Sequence, residues 1–244
     1  MDLFNNYSTV LAQAAAASSY FAKCGFVACN NDDSVNGKIL VMGINPSTPT
    51  NGQYIQTPSY SNPFLSGHPY FDKLGAILPN HFKQQTGYLD LLPFFEKEQS
   101  TLLSNIRGNE SLIANVLRVT QIEMERIAPS LLIVASKAAQ PYLGAADDCI
   151  WMGYDFVPVA KQDLPESVAA KDIDIRIIKG YRQGEFAERD RIYRPADGIC
   201  RLRGTVAVMY KHSRGLAAEE KLTPELVDAL FVFANQVKAI SKYL

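Results

Sequence analysis

The chain has 244 residues, of which 47% are hydrophobic and 20% charged, a composition typical of a globular protein with a substantial core. A net charge of −1 and an isoelectric point near 6.3 exclude a protein that coats nucleic acid through bulk positive charge. Because its four cysteines and three histidines are scattered, the sequence predicts no metal site and free thiols. No apolar stretch is long enough to span a bilayer, so we expect a cytoplasmic protein with no membrane partner.

The first half of the chain alternates predicted helices and strands. Residues 1–23 have a rough helical spacing, and 38–44 form an apolar run typical of a buried strand. This run ends abruptly at Asn45, and a loop rich in Ser, Thr, Asn, Pro and Gly continues to about residue 69. Loops of that length inside a compact domain are usually functional. The elements predicted next are a helix at 70–78, a strand at 88–94, a helix at 111–127, a strand at 131–136 and a helix at 137–143.

The second half continues the same alternation. It contains predicted strands at 156–159, 173–178 and 205–210, and a closing helix that begins with Thr223 as N-cap. Alternating strands and helices predict right-handed crossovers and a three-layer α/β/α fold with a mostly parallel central sheet of four or five strands. We expect a single domain over residues 1–244, with a charged, irregular excursion at 161–203.

Polar residues occur at three of the predicted strand ends. The sequence GINPS fills positions 43–47, Asp90 lies within YLDLLP, and the last strand leads into KHSRGL at 211–216. In open parallel sheets, ligands bind beyond the carboxyl ends of the strands. The sequence therefore predicts a ligand site near Asn45 and His212.

These segments resemble motifs of the uracil-DNA glycosylase superfamily. GINPS is similar to the first motif, especially in the mismatch-specific branch, and the segment from His212 to Leu216 resembles the second. Between them, NPFLSG at 62–67 resembles the segment whose Phe stacks on the extruded base. Residues 125–144 resemble the helix–strand–helix of the iron–sulfur branch, but its cysteine spacing is absent, so we expect no cluster and no other cofactor.

The resemblance implies a DNA-repair hydrolase that flips a base out of DNA and cleaves its N-glycosidic bond. It implies that Asn45 holds the attacking water and that His212 donates a hydrogen bond to the oxygen where negative charge develops. The residues it assigns to substrate binding are Gly43, Ile44, Pro46, Ser47, Phe64 and Asp90. The residues it assigns to DNA binding are Lys211, Ser213, Arg214 and Leu216, within a local basic patch that also includes Arg201 and Arg203.

Three positions differ from the family pattern. Ser47 stands in place of Gly, Ser213 in place of Pro, and Asp90 in place of the Asn that reads the pyrimidine edge. An ionised Asp only accepts hydrogen bonds, which favours a base with an exocyclic amine.

These differences leave several alternatives open. One alternative to the enzyme is a catalytically inactive protein that binds a nucleobase, a nucleotide or DNA on the same fold. An enzyme of another class acting on a free nucleoside is a further alternative. Phe64 is interpretable as a core aromatic, and Asp90 as a capping or ion-paired carboxylate.

Overall fold

The structure, a computed structural model, describes residues 3–14, 18–47, 59–146, 151–184, 194–210 and 220–237. The helices are α1 (Leu3–Ala14), α2 (Ser19–Lys23), α3 (Pro69–Gly75), α4 (Gln99–Ile106), α5 (Glu110–Ile127), α6 (Gln140–Leu143), α7 (Glu166–Ala169) and α8 (Pro224–Val237). The strands are β1 (Ala28–Cys29), β2 (Ile39–Gly43), β3 (Ser59–Tyr60), β4 (Thr86–Asp90), β5 (Leu131–Val134), β6 (Tyr154–Pro158), β7 (Asp174–Tyr181) and β8 (Val206–Met209).

Six strands form the main sheet in the order β4-β2-β5-β8-β7-β6. The first four are parallel, whereas β7 runs antiparallel to both of its neighbours, so the sheet is mixed. In β2, β4, β5 and β8 every residue is buried, which explains why these strands are apolar runs rather than alternating patterns. The register aligns Gly43 with Asp90, so the carboxyl ends of β2 and β4 lie side by side.

Helices cover both faces of this sheet. Leu40 and Met42 of β2 pack in one core cluster with residues of α1 and α5, whereas Ile39 and Val41 pack in another with residues of α3 and α8. This division follows from the strand period of two, which sends successive side chains to opposite faces. The fold is therefore α/β with a six-stranded mixed sheet between helical layers.

The outer edge of β4 is occupied by a side chain rather than by another strand of the main sheet. Asn31 accepts a hydrogen bond from the backbone N–H of Tyr88 (3.0 Å) and donates one to the carbonyl of the same residue (3.0 Å). The amide thereby satisfies the donor and acceptor that a neighbouring strand would otherwise satisfy.

Several sequence predictions are corrected by the structure. The helix predicted over 1–23 is two helices, because Ser18 has an extended backbone and caps the second by accepting from the N–H of Phe21. The sheet has six strands rather than four or five, and the strand predicted at 173–178 is β7, which continues to Tyr181. Helix α4 is absent from the prediction.

Other boundaries agree with the sequence patterns. Helix α5 begins one residue before the predicted start and ends at the predicted residue, Ile127. Thr223 accepts from the N–H of Leu226 (3.4 Å), as expected of an N-cap. Within the described ranges, no helix has the length and apolar character needed to cross a membrane.

Candidate functional site

The strands β2 and β5 are neighbours in the sheet, and the connections that leave them lead to opposite sides. From β2 the chain continues to β4 on one side, and from β5 it continues through β6 and β7 to β8 on the other. The carboxyl ends of two such neighbouring strands leave a crevice, which is where open α/β sheets bind ligands. Asn45 follows β2 at this crevice, two residues beyond Gly43.

The Asn45 amide group is fixed by three backbone carbonyls. Its Nδ2 donates to the carbonyls of Pro46 (2.9 Å), Phe94 (3.4 Å) and Glu96 (2.8 Å). Exchanging the amide nitrogen and oxygen would place Oδ1 against three acceptors, so only this orientation is compatible with the contacts. In consequence Oδ1 points away from them, and it is buried without a hydrogen-bond partner among the described residues.

Gly43 leaves room for a hydroxyl–carboxyl pair on the neighbouring strand. The Tyr88 hydroxyl donates to Oδ1 of Asp90 (2.7 Å). A Cβ at Gly43 would lie 2.4 Å from the Tyr88 hydroxyl and 2.6 Å from Oδ1 of Asp90, closer than atoms can approach. The glycine is therefore needed for the pair to occupy this position, independently of backbone conformation.

Asp90 is buried, and among the described residues no lysine or arginine shifts its pKa. Its exposed fraction is 9%, and burial raises the pKa of its carboxyl to about 7, partly offset by the hydrogen bond from Tyr88. The group is therefore close to half-protonated at neutral pH. The neutral form carries an O–H donor, so the expectation of an acceptor-only Asp90 holds only above pH 7.

The aromatic residues on this face differ in exposure. Phe64 is 6% exposed and packs edge-to-face against Phe71 and Tyr88, with centroids 6.1 Å away in both cases. Tyr70, in the first turn of α3, is 44% exposed and packs edge-to-face against Phe71, with the ring centroids 5.1 Å apart. The structure thus places Phe64 in the core and offers Tyr70 as an aromatic ring accessible from outside.

Asn62 holds the segment that carries Phe64. Its backbone lies in the left-handed region, with φ of 33°, and its Nδ2 donates to the carbonyls of Lys83 (3.0 Å) and Gln84 (3.2 Å). The Asn62 amide therefore stabilises this turn by hydrogen bonds to backbone carbonyls, as the Asn45 amide does at the end of β2.

A second carboxylate lies near Asn45. Glu96 accepts from the Tyr20 hydroxyl (2.7 Å) and from the N–H of Glu98 (3.1 Å), and these bonds lower its pKa. Both oxygens are engaged and the group stays ionised, so Glu96 is a weak proton acceptor.

The remaining residues predicted from sequence differ in where they lie. Ile44 is buried, Pro46 is half-buried, and Ser47 is exposed at the rim. The segment with Lys211, His212, Ser213, Arg214 and Leu216 lies outside the described residues; Tyr210, just before it, is held at the carboxyl edge by donating to the carbonyl of Val134.

The described part of the predicted basic patch, Arg201 and Arg203, lies at the amino edge of the sheet. Arg201 precedes β8 and is paired with Asp197 at 2.6 Å, so it lies at the amino edge, away from Asn45. Arg201 therefore does not line the candidate site, and Arg203, which also precedes β8, is likewise at the amino edge.

Three contributors to the site were not predicted from sequence: Tyr70, Tyr88 and Glu96. The alternation of side chains in β4 could have indicated that Tyr88 shares a face with Asp90, because the two are two positions apart in the sequence. Tyr70 and Glu96 come close only through tertiary packing. Among the described residues, no group of three or more His, Cys, Asp or Glu side chains is arranged to hold a metal ion.

Comparison of the chain with protein-family models, curated proteins and solved structures finds no match. The function is therefore argued from the site itself.

Proposed function

We propose that the chain is a uracil-DNA glycosylase-like enzyme that hydrolyses the N-glycosidic bond of uracil or a related damaged base in DNA. The observation that carries this proposal is the Asn45 amide, whose three fixed donor contacts leave a buried, unpartnered carbonyl oxygen at the sheet crevice. An oxygen held in this way is suited to accept a hydrogen bond from the attacking water.

The reaction needs positioning more than a strong base. Cleavage of the N-glycosidic bond develops positive charge on the sugar and negative charge on the base, so a weakly activated water can add to C1′ once it is oriented. Because a fixed acceptor does not reorganise during the reaction, Asn45 supplies that orientation at little cost.

The base would lie toward β4, where Asp90 and Tyr70 supply complementary contacts. Stacking of a base on an accessible aromatic ring contributes about 1–3 kcal/mol, comparable to the few kcal/mol needed to extrude the base. Tyr70 is the accessible ring on this side, whereas Phe64 would present at most an edge.

One observation favours a second candidate, a protein that binds a nucleobase, nucleotide or DNA without cleaving it. Both oxygens of Glu96 are occupied and its pKa is lowered, so this carboxylate does not activate a water beside Asn45. A site with a fixed amide and no available base would retain binding alone.

The test measures base release from oligonucleotides that contain uracil in a single strand, in a G·U mismatch and in an A·U pair. Wild type is compared with Asn45→Ala and with the control Asn105→Ala, which removes an amide donating to the carbonyl of Thr101 (2.8 Å) far from the site. We expect abasic sites with wild type and Asn105→Ala, and a loss of at least ~100-fold with Asn45→Ala.

Melting temperatures of the three proteins separate loss of chemistry from loss of folding. Release that persists in folded Asn45→Ala contradicts the assigned role of Asn45. No release by folded wild type, together with binding of the same oligonucleotides, establishes the non-cleaving alternative.

A further inference from the structure

Two of the three carbonyls that fix the Asn45 amide belong to a segment remote from it in sequence. The carbonyl of Pro46 comes from the next residue, whereas those of Phe94 and Glu96 come from the turn after β4. The bond to Glu96 is the shortest of the three, at 2.8 Å. The orientation of the amide therefore depends on where the Glu96 carbonyl lies.

A short antiparallel ladder places most of this segment. Residues 25–27 pair with 93–95 through two backbone hydrogen bonds, of 3.1 Å and 2.8 Å, and through a bridge between Phe26 and Phe94. This pairing stops one residue before Glu96, so the Glu96 carbonyl is placed by contacts that Glu96 makes itself.

The side chain of Glu96 supplies two of those contacts. Its Oε1 accepts from the N–H of Glu98 (3.1 Å), which closes a short turn around the peptide bond that carries the Glu96 carbonyl. Its Oε2 accepts from the hydroxyl of Tyr20 at 2.7 Å, and the backbone N–H of Glu96 donates to the carbonyl of Pro46 (3.1 Å). These side-chain hydrogen bonds lower the pKa of Glu96, so the carboxylate is ionised and the bond from Tyr20 is charge-assisted.

Helix α2 brings Tyr20 to this carboxylate. Ser18 caps the helix by accepting from the N–H of Phe21 (3.5 Å), and Phe21 is buried with its ring centroid 4.6 Å from that of Phe94. The rings of Tyr20 and Phe21 meet edge-to-face at 4.9 Å. Because the helix is held by these ring contacts and by its cap, removal of the Tyr20 hydroxyl alone should leave it in place.

We propose that Tyr20 is a positioning residue of the reaction, whose hydroxyl holds Glu96 so that the Glu96 carbonyl keeps the Asn45 amide oriented for the attacking water. This inference rests on the proposed glycosylase function. Without that carbonyl the amide retains Pro46 and the longer contact to Phe94, so it can rotate and carry Oδ1 away from its place. A displacement of about 1 Å is enough to slow a reaction by about 10²-fold.

The first measurement compares kcat and KM for uracil release from single-stranded DNA. Tyr20→Phe keeps the ring and removes only the hydroxyl, so kcat should fall about 10–100-fold while KM stays within about twofold of the wild-type value. Tyr181→Phe is the matched control, because it removes a hydroxyl that also donates to a carboxylate at 2.7 Å, that of Glu125 at the amino edge. The control should leave kcat unchanged even where it lowers the melting temperature.

A double variant tests the route through Glu96. Glu96→Ala removes the acceptor of Tyr20 and the turn to Glu98, so it should lower kcat at least as much as Tyr20→Phe does. Adding Tyr20→Phe to Glu96→Ala should have no further effect, because the hydroxyl then has no carboxylate to hold. A Tyr20 that merely supported the fold would lower the rate in both backgrounds.

The orientation of the amide is measured without substrate by NMR. The side-chain N–H pair of Asn45 is identified by its absence from Asn45→Ala, and its exchange with solvent is followed in each protein. We expect exchange to be at least about tenfold faster in Tyr20→Phe than in wild type, and unchanged in Tyr181→Phe.

Unchanged exchange or unchanged kcat in Tyr20→Phe, or a further loss of rate in the double variant, overturns the positioning role while glycosylase activity remains. Failure of folded wild type to release uracil instead overturns the proposed function. The exchange measurement then still shows whether Tyr20 orients the amide, so the two failures are distinguishable.

Discussion

The two edges of the sheet each hold a buried carboxyl group, and their surroundings differ. At the amino edge, Glu125 accepts from the hydroxyls of Tyr154 (2.9 Å) and Tyr181 (2.7 Å) and from the N–H of Arg201 (2.6 Å). At the carboxyl edge, the hydroxyl of Tyr88 is the side-chain donor to Asp90 among the described residues (2.7 Å).

This difference separates a carboxylate surrounded by donors from one whose pKa is raised. The donors around Glu125 compensate for its lost hydration and connect α5 to the β6–β7 hairpin and to the segment before β8. Burial raises the pKa of Asp90 to about 7, and the bond from Tyr88 offsets only part of that rise. Buried acids with a raised pKa are concentrated at functional sites.

The largest loss of stability is expected for a substitution of Glu125, at the amino edge of the sheet. Glu125→Ala leaves two buried hydroxyls and one backbone N–H without their acceptor, so the free energy of unfolding should fall by about 3–5 kcal/mol. Urea denaturation at pH 7 measures this, with Glu125→Gln as the matched variant that keeps one acceptor oxygen and should lose less. A loss below about 1 kcal/mol for the Ala variant would mean that the cluster is not the structural one described.

The second largest change in the free energy of unfolding is an increase, and it is expected for a substitution of Asp90. Because the pKa of Asp90 is raised, its favourable contribution to stability is complete below pH 4 and is lost as the pH rises through 7, a change of at most about 4 kcal/mol. Asp90→Asn should therefore stabilise the fold by about 2–4 kcal/mol at pH 8 and have little effect at pH 4. Urea titrations at the two pH values test this, and destabilisation at pH 8 would contradict the burial of an uncompensated acid.

An intermediate loss of stability is expected at Gly43, where the carboxyl ends of β2 and β4 lie side by side. Gly43→Ala places a methyl group within 2.6 Å of both the Tyr88 hydroxyl and Asp90, so the pair must separate, at a cost of about 1–3 kcal/mol. The matched control is Gly75→Ala, whose new Cβ would approach only Phe64, at 3.1 Å, and which gains helix propensity. Thermal melting should show a clear loss for the first variant and a change within about 1 kcal/mol for the second.

The smallest change in stability is expected at the exposed ring of Tyr70, which packs against Phe71. Tyr70→Phe keeps the ring and removes only the hydroxyl, so the free energy of unfolding should change by less than about 0.5 kcal/mol. Thermal melting measures this change, and a loss above about 1 kcal/mol would show that the hydroxyl contributes to the fold.

Much of the fold was predictable because its central strands are buried on both faces. The apolar runs at β2, β5 and β8 stand out in the sequence, and each ends within two residues of the predicted boundary. Helix α4 was missed because only Leu102 and Ile106 are buried in it, too few for a helical period. The strand predicted at 173–178 corresponds to β7, but the charged residues around it gave no sign that it continues to Tyr181.

The site was less predictable because it depends on contacts between elements. Asn45 could be found from its place at a strand end, but the three carbonyls that fix it come from the turns after β2 and β4. The proton affinity of Asp90 comes from burial, which no local pattern encodes. The ring of Tyr70 comes near the site only because α3 packs against β4, where Phe71 lies 4.9 Å from Tyr88.

The amide of Asn31 on the flank of β4 also affects how copies of the chain meet. An edge strand with free N–H and C=O groups is a template on which a second molecule can add a strand, the route to domain swapping and fibrils. By occupying the N–H and C=O of Tyr88, Asn31 blocks that template at its middle residue. The flank of β4 near Asp90 is thereby closed to strand addition, so a concentrated solution of the protein should not aggregate through β4 unless Asn31 is displaced.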